Sequence, residues 1–442
     1  MSRSLVALFA FLALKTVMAD VPGGWLDSVF SNLDFDHWPE KEQHTHFRWS
    51  THIGTPVLSV HQRMMVRIEL QVDGAERVKH QGQGKILMLV QVRDASGRIY
   101  QNHNSLPLDN VDSAAARTES IYRQNAFVLP GEYQVSLGLL VTDTKEHAVM
   151  RKVLRVDAPR RDPLPDAWRD LPPVEFLPSE DPPDSWYLPS ELGRLNLKVE
   201  TKRPVRIDLL VNGSSTEQPA TTRVQRRGHV TIGSLIPEVK VLSEIKVNNG
   251  SFGIAIVDLE RRRVIFEQSM THDLDWAKLK EALGAGDQNK IDLKSLEHRD
   301  ENAQFFLSQV QKRLPGSDDA GTLHAVIVLS GPMAFDKANL QPIHAAPSAN
   351  SRVYYLRYRP MPRLTPEMSP AVESSTGLQR TRGRGGLGSS PLSLPNSGGL
   401  TMDELFGLLK PVDPRLFEVN DSVEFRKALA TIFNDIARFA GN

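Results

Sequence analysis

The chain has no cysteine among its 442 residues. Disulfides, thiolate nucleophiles and cysteine-ligated zinc are therefore excluded, and packing must supply its stability. Net charge is also missing, because 53 Lys and Arg offset 53 Asp and Glu. Binding to a phosphate backbone depends on a basic excess, so no nucleic-acid partner is expected. Neither a His-Glu-x-x-His helix motif nor a Gly-x-Ser-x-Gly elbow occurs, which removes two familiar hydrolase signatures. Beyond the N-terminus no stretch is apolar enough to cross a bilayer, so no membrane span is expected in the mature chain.

What is present begins with a secretory pattern over residues 1–19. Arg3 supplies a positive n-region, Leu5 to Leu14 a short apolar core, and Val17-Met-Ala19 a small-residue cleavage site. The expected localisation is extracytoplasmic, secreted or periplasmic. Residues 20–56 form an aromatic and His-rich segment whose histidines, among them His37, His44, His46 and His52, match no zinc spacing and read as solvated surface.

Residues 57–157 alternate apolar and polar positions in several short runs. Met65 to Val72, Ile86 to Val92 and Tyr133 to Leu139 are the clearest, with a hairpin turn at Asp94-Ala-Ser-Gly97. Strands at this spacing, without helical periods between them, predict an antiparallel β-sandwich, Ig-like in broad architecture. Residues 158–196 are a Pro-rich connector, too aromatic at Trp168, Phe176, Trp186 and Tyr187 to run free in solvent.

From residue 197 to 442 the pattern changes to buried strands alternating with helices. Val205, Ile207, Leu209 and Val211 line one face of a strand, Leu210 lies on the other, and Asn212-Gly-Ser-Ser-Thr216 follows as a polar loop. Further strands are read at Phe252–Asp258, Arg263–Glu267, Leu323–Leu329, Arg352–Tyr358 and Leu416–Phe417, with helices near 231–241, 275–283, 300–314, 401–409 and 423–439. A flexible Pro/Gly/Ser/Arg-rich loop is expected at 360–400. This order predicts a doubly wound, Rossmann-like α/β domain after the sandwich.

Its strand order, first-strand polar loop and terminal helix resemble a von Willebrand factor type A domain. The segments Arg203-Pro-Val-Arg-Ile-Asp-Leu-Leu-Val-Asn212, Asp292-Leu-Lys-Ser-Leu-Glu-His-Arg-Asp300 and Tyr354-Tyr-Leu-Arg-Tyr-Arg-Pro360, with Pro130-Gly-Glu-Tyr133 ahead of them, resemble a bacterial group called VWFA-related. That group has no established reaction. The resemblance implies an ion site built from Asp-x-Ser-x-Ser plus a Thr and an Asp from neighbouring loops. Here Asn212, Ser214 and Thr216 stand in the first positions, and Leu329-Ser330-Gly331 replaces the usual Thr-Asp-Gly. Without a carboxylate, Mg²⁺ has no anionic oxygen to offset its dehydration, so the site is expected to be degenerate and metal-free, with no cofactor.

The functional expectation is a non-enzymatic, exported interaction or adhesion-type protein with a protein partner. Two alternatives stand beside it. One is an envelope hydrolase using Ser214, Ser215 or Ser330 with His324 or His229 as base; the other is a cation-dependent adhesion module.

Overall fold

Alternation of apolar and polar residues dictates the first half of the molecule. The structure, a computed structural model, describes residues 28–38, 47–177, 194–214, 216–217, 229–230, 232–270, 273–284, 299–315, 321–333, 335, 350–359 and 403–441. The expected leader at 1–19, the loop at 360–400, and Trp186, Tyr187 and Ser215 lie outside the described residues.

The strands here are β1 (Trp49–Ile53), β2 (Val57–Leu58), β3 (Met64–Asp73), β4 (Lys85–Arg93), β5 (Ile99–Pro107), β6 (Glu119–Val128), β7 (Gly131–Val141), β8 (His147–Val156) and β9 (Val174–Phe176), with the short helix α2 (Gly74–Lys79) between β3 and β4. One antiparallel sheet runs β1-β3-β6-β9 with β2 beside β3, and a second runs β5-β4-β7-β8. Ile68, Leu70 and Val72 of the first face Val90, Leu137 and Leu139 of the second across a common core. Successive side chains of a strand point to opposite faces, which is why every second residue is buried there. The β4–β5 hairpin closes at Asp94–Gly97, where Gly97 adopts φ +84° and its N–H donates to Asp94 O at 2.9 Å.

Two strands fall outside the 57–157 span that periodicity marks. Trp49–Ile53 comes from the aromatic segment, and Val174–Phe176 from the Pro-rich connector. Three residues are too few for a period of two to register. A short helix, α1 (Ser28–Ser31), and the turn after it cover the outside of the second sheet, where Phe30, Phe35 and Trp38 pack on Leu89, Leu140 and Val149. Gly138 makes this possible: a Cβ there would lie 2.4 Å from the Phe35 ring.

The second half is one six-stranded mixed sheet with two small ladders beside it. Its elements are β10 (Leu197–Val199), β11 (Val205–Asn212), β12 (Thr216–Glu217), β13 (His229–Val230), β14 (Ile245–Val247), β15 (Gly250–Asp258), β16 (Arg263–Met270), β17 (Leu323–Ser330), β18 (Ser351–Tyr358) and β19 (Arg415–Val419). The main order is β16-β15-β11-β17-β18-β19, parallel except for the antiparallel β15/β16 edge. Val205, Ile207, Leu209 and Val211 pack with α3 (Ile232–Ser243), α4 (Trp276–Gly284) and α7 (Ser422–Gly441). Leu210 packs on the opposite face with α5 (Arg299–Gln311) and α6 (Glu404–Leu409). The chain is thus a β-rich, multi-unit molecule of antiparallel and mixed sheets.

Pro237 sits inside α3 rather than at its start. The final helix opens as its sequence suggests: Asp421 Oδ1 accepts the N–H groups of Val423 and Glu424, each at 2.8 Å. Glu424 reaches back to the N–H of Asn420 at 2.9 Å, one residue before the cap.

That helix also joins the two halves. Arg426 is 2% exposed and grips Asp162 through Nε and Nη2 at 2.6 and 2.7 Å. It also donates to Leu164 O at 2.8 Å and lies 4.7 Å from the centre of the Trp168 ring. Trp168 Nε1 in turn donates to Gln62 O at 2.7 Å. Partial burial works against charge on Asp162, but the Arg426 hydrogen bond leaves its carboxyl below the ordinary value.

Candidate functional site

Along the main sheet the chain moves from β11 outward to β15 and β16, then returns to the other side of β11 with β17. The strand order therefore reverses between β11 and β17, and their carboxyl ends frame the crevice where open α/β sheets take ligands. Asn212 ends one strand and Ser330 the other.

These two residues meet. Asn212 Nδ2 donates to Ser330 Oγ at 2.9 Å and lies 2.7 Å from Met333 Sδ. Asn212 Oδ1 accepts the Ser214 N–H at 3.0 Å, the local bond that lets Asn hold a tight turn. Ser214 Oγ accepts the Leu259 N–H at 2.6 Å, and Ser330 Oγ donates to Gly331 O at 2.7 Å. Asn212, Ser214 and Ser330 are all buried. The backbone of Thr216 enters a separate antiparallel ladder opposite Val230.

Further residues enter from elements whose role was not apparent in the sequence. Asp403, whose side chain is 1% exposed, accepts the Met333 N–H at 3.2 Å and Arg357 Nη1 at 3.1 Å. Glu404 donates its N–H to Met333 O at 2.8 Å, so the start of α6 fastens Met333 beside the strand ends. Phe335, two residues on, packs in the core. Tyr355 donates to Gly331 O at 3.3 Å; burial, reinforced by the Asp403 charge, pushes its hydroxyl well above the ordinary value. Arg357 bridges Asp403 and Glu418. Burial and the neighbouring Arg357 charge lower Arg359.

The donor set does not fit a divalent cation. Its carboxylates are already engaged, Asp403 by a guanidinium and a backbone N–H, Glu404 by the Phe335 N–H and Glu418 by Arg357, while hard cations need free anionic oxygens. A nucleophile–base pair is not assembled at Ser330 either. His324 lies six residues back along β17, roughly 20 Å away at strand rise. Its neighbours across the sheet are Arg206 of β11 and Ser351 of β18. His229 stands in β13 opposite Glu217.

The signal for Asp403 was faint: an acidic residue just before a helix, separated by 45 positions from the strand whose arginine it binds. Met333 carried no signal, since a thioether in a loop has no pattern of its own.

No family model matches the chain. No curated protein matches it. Among solved structures, a structural-genomics target designated SoR45 aligns at 12% identity over 26% of this chain and 87% of that one, with a TM-score of 0.15. A protein of Bordetella pertussis given the name ApaA aligns at 8% identity over 26% of this chain and 96% of that one, with a TM-score of 0.16. At these scores neither likeness carries an argument about fold or function. Among the described residues, no helix is long and apolar enough to cross a membrane.

Proposed function

We propose that the second unit is a von Willebrand factor type A-like domain whose ion site has degenerated, preceded by an Ig-like sandwich. The whole acts as an exported, non-enzymatic protein-interaction molecule. The observation that carries this reading is the closed network of Asn212, Ser214, Ser330 and Met333. In it the polar groups at the crevice satisfy one another, and Asp403 is neutralised by Arg357. A surface of this kind has no charge to offer a bare ion and no activated nucleophile. It can present shaped loops to another protein. The strand order and the helices on both sheet faces support the type A-like architecture. The leader pattern of Arg3, Leu5–Leu14 and Ala19 supports export.

The test has two arms. Calorimetric titration of Mg²⁺ and Mn²⁺ into the full chain should give no binding heat. Crosslinked capture from an envelope fraction should give one reproducible partner, retained in EDTA. Capture that needs a divalent cation, together with binding heat, would replace this reading with cation-dependent adhesion.

A further inference from the structure

A second polar cluster lies where the two halves meet, away from the crevice. His61 and Arg63, from the turn between β2 and β3, face Leu195, Lys240 and Glu244 of the second half around a cavity of about 10 Å³. The Phe127 ring of β6 lies edge-on to His61, with ring centres 5.6 Å apart. Arg63 is buried and paired with Glu175 of β9. Lys240 stands four residues before Glu244, whose charge favours its protonated form, and Glu244 Oε2 accepts the Leu195 N–H at 2.6 Å. Two cations thus stand with two carboxylates, and the histidine lies among them.

This arrangement suits a neutral ring at His61 and not a charged one. Its Nδ1 is sealed from solvent and has no hydrogen-bond partner among the described residues, although the residue as a whole is partly exposed. An imidazolium donates from both nitrogens, so protonation would leave a buried, charged donor without an acceptor. It would also add a third cation to the pair already present. Burial first, then the charges of Lys240 and Arg63, lower His61 from 6.5 to about 3. Parting the halves takes Lys240 away and admits water to Nδ1, while Arg63 keeps Glu175 within the first half.

We infer that this junction is an acid-sensitive release, in which His61 takes up a proton only as the halves part, so that falling pH loosens their docking. A histidine lowered in the docked state contributes to docking in full above 6.5 and loses that contribution as pH falls from 6.5 towards 3. The other groups around it act elsewhere or oppose it. Lys240 is lowered from 10.5 to about 8, so its own effect on docking is complete by pH 8 and adds no slope below that. Burial raises the Glu244 carboxyl, which takes up a proton in the docked state and favours docking in acid. Wild type and His61→Gln are therefore compared at each pH, which cancels what Glu244 adds.

The test is hydrogen exchange on the full chain at about pH 7.5 and 5.5, corrected for the intrinsic pH dependence of exchange. The reporter is the Asn196 N–H, next to Leu195 of the cavity wall, which donates to Ala167 O of the connector at 2.9 Å. Amides of β11 are the control for global unfolding. The opening constant at Asn196 should rise about tenfold between those pH values, the factor given by lowering a histidine from 6.5 to about 3, with β11 unchanged. His61→Gln, its fold checked by far-UV circular dichroism, should cut that rise to less than about threefold. If this variant does not fold, the wild-type His61 ring resonance decides: it should titrate below about pH 4.5. A ring that titrates near its ordinary value would overturn the inference. So would equal opening of Asn196 at both pH values, a rise undiminished in His61→Gln, or the same rise throughout β11.

Discussion

Asn212 and Ser330 hydrogen-bond at 2.9 Å across the seam where the strand order reverses, and the amide nitrogen that makes this bond also touches the Met333 thioether. Asn212→Leu removes both contacts and leaves the Ser214 N–H without its acceptor. The expected loss is about 1–3 kcal/mol, read from the urea midpoint. Asn212→Asp should lose more at pH 7 than at pH 5, because a carboxylate cannot donate to Ser330 and its burial favours the protonated form. A loss independent of pH would mean that the seam admits water.

Arg426 should dominate the union of the two halves. Arg426→Met leaves the Asp162 carboxylate without its guanidinium, and is expected to cost about 3 kcal/mol. Limited proteolysis should then cut the connector faster than in the wild type. Replacing both partners, Asp162→Leu with Arg426→Met, should recover part of that loss. The carboxyl of Asp162 is held below its ordinary value, so the pair's contribution is full above about pH 3.9 and fades as pH falls through the lower folded value.

Gly138 admits the Phe35 ring to the outer face of the second sheet. Gly138→Val should expel that ring and release residues 28–38, raising their hydrogen exchange while β4 and β7 stay protected. Losing the Phe35 burial costs roughly 2 kcal/mol. Phe35→Ala in the same background should restore little stability but should remove the steric conflict. Unchanged exchange in Gly138→Val would show that the segment docks without Phe35.

Lys240 is lowered from 10.5 to about 8, first by burial, with Glu244 opposing the shift. The folded protein therefore binds fewer protons than the unfolded chain between those values, and stability should climb as pH rises from 8 to 10.5. Lys240→Met should flatten that rise and add on the order of 2 kcal/mol at pH 7. Urea melts at four pH values suffice to check both.

Much of this architecture was legible in residue order. The strand at Val205–Val211 was visible because both of its faces are apolar, and α7 because Asp421 and Glu424 mark its start while Phe425, Leu429, Ile432 and Ile436 repeat at helical spacing. Asn212, Ser214 and Ser330 were legible as a polar seam because they end apolar runs. Met333 and Asp403 were not, since what places them is the chain's path in space. Arg426 was also hidden. It is a cation on a helix otherwise read by its apolar stripe, and it is buried because its partner comes from a connector 264 positions earlier.

That separation sets a timetable for synthesis. At about 5–20 residues per second, roughly 13–53 s pass between translation of Asp162 and translation of Arg426. Throughout that interval the connector emerges with its carboxylate and the Trp168 ring awaiting a helix not yet made. A nascent chain stalled before residue 426 should therefore expose this patch to chaperones or proteases, however well its first two sheets have folded.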